Sequence, residues 1–471
     1  MKTTGADIGI VGLAVMGRNL ALNLSDRGFR VAVFNQEPVM TRDFMAQGGE
    51  VRGFIAAKSL RDLTCSLRRP RRILMMIKAG APVDSVLASL LPLLTRGDVV
   101  MDGGNSNYHD TERRQKLARV RGVSFMGVGV SGGEYGARNG PSIMPGGDRS
   151  AYNLVKGVLE KAAALTSDGP CCAYIGAGSA GHFTKMVHNG IEYALMQVIA
   201  EAWDIMKTGL GMSTEETRNV FAEWNNGLLS SYLVEITAQV LGKVDEKSRR
   251  PLVELIADSA GQKGTGKWTT QAALDLGVPV PTITAAVDAR IISGHPEARA
   301  RAAKLLGGAS GRIKIPRARL VSALMYAVRG ASLISYGQGL HLLARASREY
   351  GYGIRLDEVC RIWKGGCIIR ARELDLLMKA FHAKPTMEHL FESKRYASAV
   401  RVCSAPLRWL VEQSVAARIP VPALSSALAY RDSFARVNLP SNLIQAQRDL
   451  FGAHTFKRND RKGIYHADWS E

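Results

Sequence analysis

The chain has 471 residues, 46% hydrophobic and 22% charged, enough for two or three folded domains with their own cores. No apolar run reaches the ~18 residues of a membrane span, the start Met1-Lys2-Thr3-Thr4 lacks the apolar stretch of a signal peptide, and six scattered cysteines form neither a disulfide framework nor a zinc motif. The formal charge of +20 raises nucleic-acid binding, but the cations are spread along the chain, runs such as Arg68-Arg69-Pro70-Arg71-Arg72 are short, and no nucleic-acid-binding signature is present. The expectation is a cytoplasmic protein with an anionic small-molecule partner, no nucleic acid and no membrane.

Residues 8–12, 31–35, 72–77, 99–102 and 124–130 read as short apolar strands alternating with helical stretches. Such alternation predicts a parallel sheet with helices on both faces over residues 1–178. The first strand runs into Gly12-Leu13-Ala14-Val15-Met16-Gly17, a G-x-A-x-x-G turn that opens a helix. Gly12 permits the tight turn, Ala14 keeps the backbone near a pyrophosphate, and Gly17 lets the helix pack on the strand. This is a Rossmann-type dinucleotide-binding unit. Its second strand ends at Asn35-Gln36-Glu37, with an acidic residue about 20 positions past the turn. An acid there holds a free ribose 2′-hydroxyl, so the local chemistry favours NAD.

From about Gly178 strand patterns stop, and residues 179–436 read as all-helical. One stretch stands out. In Lys185-Met186-Val187-His188-Asn189-Gly190-Ile191-Glu192-Tyr193 the polar residues recur at i, i+3, i+4 and i+7. Lys185, His188, Asn189 and Glu192 thus share one face of a helix whose continuation is mostly apolar. Buried charge is costly unless paired or used, so this column reads as an acid/base site. The region is also duplicated: Trp224-Asn225-Asn226-Gly227-Leu228-Leu229 resembles Trp363-Lys364-Gly365-Gly366-Cys367-Ile368, an offset of 139 residues. That offset carries Lys185 to Leu324 and Glu192 to Ala331. The second copy, without either charge, reads as scaffold. Residues 437–471 form a polar tail with no sustained helical period after Phe451. It holds too many aromatics, Phe451, Phe456, Tyr465 and Trp469 among them, to remain free.

Together these segments closely resemble the decarboxylating 6-phosphogluconate dehydrogenases of the long form, over essentially the whole chain. The resemblance rests on the Gly12 turn, Asp102-Gly103-Gly104-Asn105, Gly129-Val130-Ser131-Gly132-Gly133-Glu134, the 185–193 stretch, Lys263-Gly264-Thr265-Gly266-Lys267-Trp268 and Asn442-Leu443-Ile444-Gln445-Ala446-Gln447-Arg448-Asp449, in the family's order. It implies oxidation and decarboxylation of 6-phosphogluconate in the pentose phosphate pathway and gluconate utilization, with NADP and without a metal. It also implies Lys185 as general base and Glu192 as the acid that protonates carbon. For the cofactor it implies the Gly12 turn, Asn35, Gln36, Glu37, Ile77, Lys78, Ala79 and Asn105. For the substrate it implies Asn105, Ser131, Gly132, Gly133, His188, Asn189, Tyr193, Lys263, Thr265 and Arg290, with Arg448 and His454 supplied from the other subunit of a homodimer. One departure matters. Where the family reads Asn-Arg-Ser or Asn-Arg-Thr at the 2′-phosphate, this chain reads Asn35-Gln36-Glu37. The rival reading is another β-hydroxyacid dehydrogenase acting on a small hydroxy acid. It needs neither the second helical copy nor the tail.

Overall fold

The computed structural model describes residues 5–308 and 311–470. Residues 1–4, on which part of the signal-peptide reading rests, lie outside them. Seven strands form one sheet: β1 (Ile8–Val11), β2 (Val31–Phe34), β3 (Ile55–Ala56), β4 (Arg72–Met75), β5 (Val99–Asp102), β6 (Ser124–Ser131) and β7 (Ser142–Gly146), in the order β3-β2-β1-β4-β5-β6-β7. Each of β1, β2 and β5 is buried along its length, and apolar except for Asp102 at the end of β5, as suits strands covered on both faces. Ile8, Ile10, Val31 and Val33 feed the core on one face; Val11, Ala32, Phe34 and Ile73 feed the other.

The sheet is parallel except at β7, which pairs antiparallel with β6 from Gly127↔Gly146 to Ser131↔Ser142. The parallel sheet read from the alternation of strands and helices is present, with one antiparallel edge strand added. Strand β7 reads Ser-Ile-Met-Pro-Gly, with Pro145 and Gly146 hiding the strand pattern; β3, two residues long, carries none. Because β4 returns to the opposite side of β1 from β2, the strand order reverses at the carboxyl ends of β1 and β4. Open α/β sheets bind ligands at such a point. The Gly12 turn, Ile77, Asn105 and Gly132 all follow the carboxyl ends of their strands, so the topology gathers them at one edge.

No helix among the described residues is long and apolar enough to cross a membrane. Two helices dominate the remainder, Ala180–Asp204 and Arg317–Glu349. The first crosses the β6–β7 edge at backbone-contact distance. A Cβ on Gly181 would stand 2.2 Å from the Gly127 oxygen, and one on Gly129 would stand 2.5 Å from Lys185 Cβ. Only glycines permit this approach, and it places Lys185 directly over the strand end that carries Ser131.

The duplication appears as reciprocal capping. Pro281–Ser293 and Pro422–Phe434 each begin with proline after a valine of nearly the same backbone geometry, Val280 (φ −129, ψ 50) and Val421 (φ −133, ψ 58). Gln338, on the long helix of the second copy, accepts from Thr282 N at 3.1 Å. Glu201, on the long helix of the first, accepts from Ala423 N at 2.8 Å and Leu424 N at 2.9 Å. Each copy therefore caps a helix of the other. Burial pushes the Glu201 carboxyl up to about 7, opposed by these two amide donors. Glu201→Ala strands both amides in the core and is expected to cost ~2–4 kcal/mol. A fall in the thermal midpoint checks it; an unchanged midpoint would show that the caps add nothing.

Candidate active site

Lys185, His188 and Asn189 are buried on the inner face of Ala180–Asp204, with Glu192 a turn further on and half-buried. Lys185 Nζ donates to Asn189 Oδ1 at 2.8 Å and lies 3.3 Å from His188 Nδ1. Asn189 Oδ1 also faces His188 Nδ1 at 3.0 Å, and Asn189 Nδ2 donates to Thr265 Oγ1 at 3.3 Å. An amide oxygen can only accept, which assigns the imidazole proton to Nδ1 and leaves Nε2 as an acceptor. Glu192 Oε2 is 3.8 Å from His188 Nδ1.

Burial dominates the electrostatics. It lowers the Lys185 amine from its ordinary value, against the pull of the Glu192 carboxylate. It raises the Glu192 carboxyl, against the nearby cations Lys185 and Arg290. His188 is pushed well below the usual imidazole range by burial and then by the Lys185 charge, so it is neutral. An amine shifted down and an acid shifted up on one helix face suit a base and a proton donor.

Ser131, at the end of β6, lies with its Oγ 3.0 Å from His188 Nε2. Gly132 follows at φ +119, where a Cβ would meet the Gly366 oxygen at 2.6 Å. Gly366 belongs to the second copy of the Trp segment, and its carbonyl accepts from Ser142 N at 2.7 Å. Its neighbour Cys367 brings Sγ to 2.9 Å from His188 Nε2, and the Trp363 ring meets the imidazole edge-on at 5.6 Å. This corrects the scaffold reading of the second copy. Having lost its own charges, it still walls the site of the first. Cys367 went unnoticed because its relevance depends on a contact across 179 residues of sequence.

At the far end, Arg290 stacks on Tyr193 with its guanidinium carbon 3.5 Å from the ring centroid. Gly266 makes room for that ring, since a Cβ there would touch it at 2.6 Å. Thr265 is buried beside Asn189, and Lys263 is exposed on the preceding loop. The Asn105 loop is set by Asp102, which accepts from Gly104 N at 3.0 Å and Ser106 Oγ at 2.6 Å, with the fully buried Arg114 alongside. Asn105 itself is exposed, as is Gly133.

The dinucleotide turn also holds a cradle. A Cβ on Gly12 would lie 2.5 Å from the Met76 oxygen, and one on Gly17 would lie 1.9 Å from the Gly12 oxygen. Helix Val15–Asp26 starts at Ala14 with no side-chain cap, which leaves its amide donors for an anion. Asn35 Oδ1 holds Leu13 N at 2.9 Å, and Asn35 Nδ2 holds the Glu37 carboxylate at 2.9 Å. Gln36, Glu37, Arg42 and Lys78 are exposed; Ile77 and Ala79 are half-buried at the β4 end. These groups fit a dinucleotide, with an acid at the ribose end of the cleft.

Over this architecture, residues 7–176 match the model of the NAD binding domain of 6-phosphogluconate dehydrogenase, and residues 181–469 match that of its C-terminal domain. The chain belongs to the 6-phosphogluconate dehydrogenase family. It is 50% identical to the decarboxylating 6-phosphogluconate dehydrogenase of Synechococcus elongatus over 469 residues, covering 98% of each chain. It is 47% identical to the Bacillus subtilis enzyme described as NADP(+)-dependent and decarboxylating, again over 98% of both. The solved 6-phosphogluconate dehydrogenase of Plasmodium falciparum, studied apo, with its cofactor NADP+ and with its substrate 6-phosphogluconate, superposes with a TM-score of 0.94. That chain is 43% identical, and the match covers 98% of this chain and 100% of that one.

Two residues that the family resemblance assigned to the site are not brought to it within the single chain. Arg448 bonds Gln445 within helix Ser441–Gly452, and His454 packs on Phe451 of the same segment. Both are exposed. The tail folds around the buried Asp449, which accepts from Thr455 N, His466 Nδ1, Ala467 N and Trp469 Nε1. Leu443, Ile444, Leu450 and Phe451 remain exposed on its outer side.

Proposed function

We propose that this chain oxidises 6-phosphogluconate and decarboxylates the product, giving ribulose 5-phosphate and carbon dioxide in the cytoplasm. The observation that carries this reading is the buried column in which Lys185 and Glu192 are shifted in opposite directions, with the stacked Arg290–Tyr193 pair one step away. The resemblance of residues 1–178, 179–436 and 437–471 to nucleotide domain, helical domain and tail divides the labour accordingly. The rival small hydroxy acid is not favoured, because the relatives match through the second helical copy and the tail.

When bound at the Gly12 turn, the nicotinamide cofactor supplies a hydride acceptor. The protein's own residues do the rest. Arg290, Tyr193, Lys263 and Thr265 hold the phosphate end, and Ser131, Gly132, Gly133 and Asn105 hold the carboxylate and hydroxyls. Neutral Lys185 takes the C3 hydroxyl proton as the C3 hydride leaves. In the resulting β-keto acid the C1–C2 bond breaks, its electron pair moves toward the C3 oxygen, and protonated Lys185 returns its proton there. His188 and Asn189 keep the amine aimed at that oxygen. Glu192 then protonates the enediol at the carbon that lost carbon dioxide, while Lys185 takes the proton back from the C3 hydroxyl to leave the ketone.

NADP is the cofactor that membership of the family brings. Gln36 removes a cation and Glu37 adds an anion where a 2′-phosphate would lie, each at a cost of ~1 kcal/mol. NAD is therefore expected to match or exceed NADP in kcat/KM with 6-phosphogluconate. A strong NADP preference would overturn the reading of these two residues, and absence of turnover with either cofactor would overturn the function.

Arg448 and His454 are proposed to complete the site of a second copy in a homodimer. The exposed apolar residues of the tail support this reading. A chain ending at Arg436 is expected to lose substrate affinity by tenfold or more on the scale of a lost charged contact. A wild-type KM in that truncation would exclude the cross-subunit role.

A further inference from the structure

His188 Nε2 has one lone pair to offer, yet two donors point at it: Ser131 Oγ at 3.0 Å and Cys367 Sγ at 2.9 Å. The Ser131 oxygen also accepts from Ile368 N at 3.4 Å, which fixes the oxygen and leaves its proton to donate. With Nδ1 committed to Asn189, the ring has no other polar partner at Nε2 among the described residues. We propose that Cys367 is a positioning residue that holds the His188 ring when Ser131 turns its hydroxyl to the substrate. The proposal rests on the assignment of Ser131 and His188 to substrate binding made above.

The exchange follows from donor strength. A hydroxyl is the better donor, so in the free enzyme Ser131 takes the lone pair and the thiol stands by. A substrate carboxylate is a stronger acceptor than imidazole, because it is charged. It draws the Ser131 proton, and without a second donor the Nε2 lone pair would be left bare in a buried site. Cys367 fills that place without moving, since Sγ is already within contact. Burial raises the thiol to about 12, against the lowering effect of the Lys185 charge, so it remains S–H and able to donate. The backbone supports the placement: Gly366, next in chain, is locked at φ +61 against Gly140 and Pro141. A ring that tilts about its Cβ bond would carry Nδ1 away from Asn189, and the Lys185 amine would lose its aim.

Cys367→Ala and Cys367→Ser in the full-length protein test this. The readouts are kcat and KM for 6-phosphogluconate and the ¹⁵N shift of His188 Nε2 in the unliganded protein. For Cys367→Ala the expected result is a kcat about tenfold lower with KM changed less than about twofold, the pattern of a misaimed catalytic group. Cys367→Ser, which restores a donor, is expected to recover most of kcat. In Ser131→Ala the Nε2 shift is expected to move little, because the thiol holds the ring, and in the double variant Ser131→Ala/Cys367→Ala it is expected to move fully. A Cys367→Ala protein with a lower thermal midpoint but wild-type kcat would reduce the thiol to packing and overturn the proposal. So would a serine variant no better than alanine. If the wild-type protein fails to turn over 6-phosphogluconate, the function falls, while the ring shifts still decide the hydrogen bond.

Discussion

Lys185→Met is expected to abolish turnover, lowering kcat by about 10³-fold or more, on the order of 4 kcal/mol of transition-state stabilisation. Methionine approximates the length and apolar stem of lysine but can neither take nor return a proton. Cofactor binding, which relies on the Gly12 turn, is expected to stay near wild type, and stopped-flow absorbance should show no reduced nicotinamide even in the first turnover. The acid limb of the pH profile has the same origin. Burial lowers the Lys185 amine, so its neutral form grows as pH rises through that lowered value, and activity rises with it. Stability provides a second check. The second copy holds Leu324 and Ala331, both fully buried, where the first holds Lys185 and Glu192. Replacing a buried amine by an apolar side chain of similar size is commonly neutral or stabilising. The thermal midpoint should therefore hold or rise. A first-turnover burst in Lys185→Met would remove the base role, and a fall of many degrees would show that the fold needs the amine.

Glu192→Gln is expected to act later in the reaction. Glutamine keeps the shape and one acceptor oxygen but has no acidic proton to deliver. Oxidation and loss of carbon dioxide should proceed in the first turnover, with one equivalent of reduced cofactor per site formed quickly. Steady-state turnover should then fall about 10²–10³-fold, because protonation of the enediol has lost its donor. The Glu192 carboxyl is raised by burial, so its protonated form is present below that raised value and lost as pH climbs through it. Activity that depends on the protonated acid must decline on the alkaline side, and Glu192→Gln should remove that limb. Because Lys185 and Glu192 influence each other, the two limbs report the pair. Slowing without a burst would move Glu192 away from the late step.

Both sites announce themselves locally, whereas some features of the fold do not. The Gly12 turn could be read from the chain because each glycine answers a constraint within a few residues: a tight turn, then a helix start. The column at Lys185 was equally visible, since the helical repeat alone puts residues i, i+3, i+4 and i+7 together. The antiparallel β7 was not visible, because Pro145 and Gly146 blur its pattern and its pairing depends on β6. Reciprocal capping by Glu201 and Gln338 was also hidden. Both residues look like ordinary polar positions on a helix until the other copy presents its free amides.

The chain by itself determined the alternation of five of the strands with helices, the turn that takes a dinucleotide and the four polar groups on one helix face, because these are short-range consequences of backbone geometry and side-chain period. Only the tertiary structure decided that those groups are buried, and with that which way their proton affinities move. It also decided that Cys367 of the second copy stands against His188 of the first. Burial and contacts between distant segments arise when the helix crosses the β6–β7 edge at glycines, and no local pattern encodes that meeting.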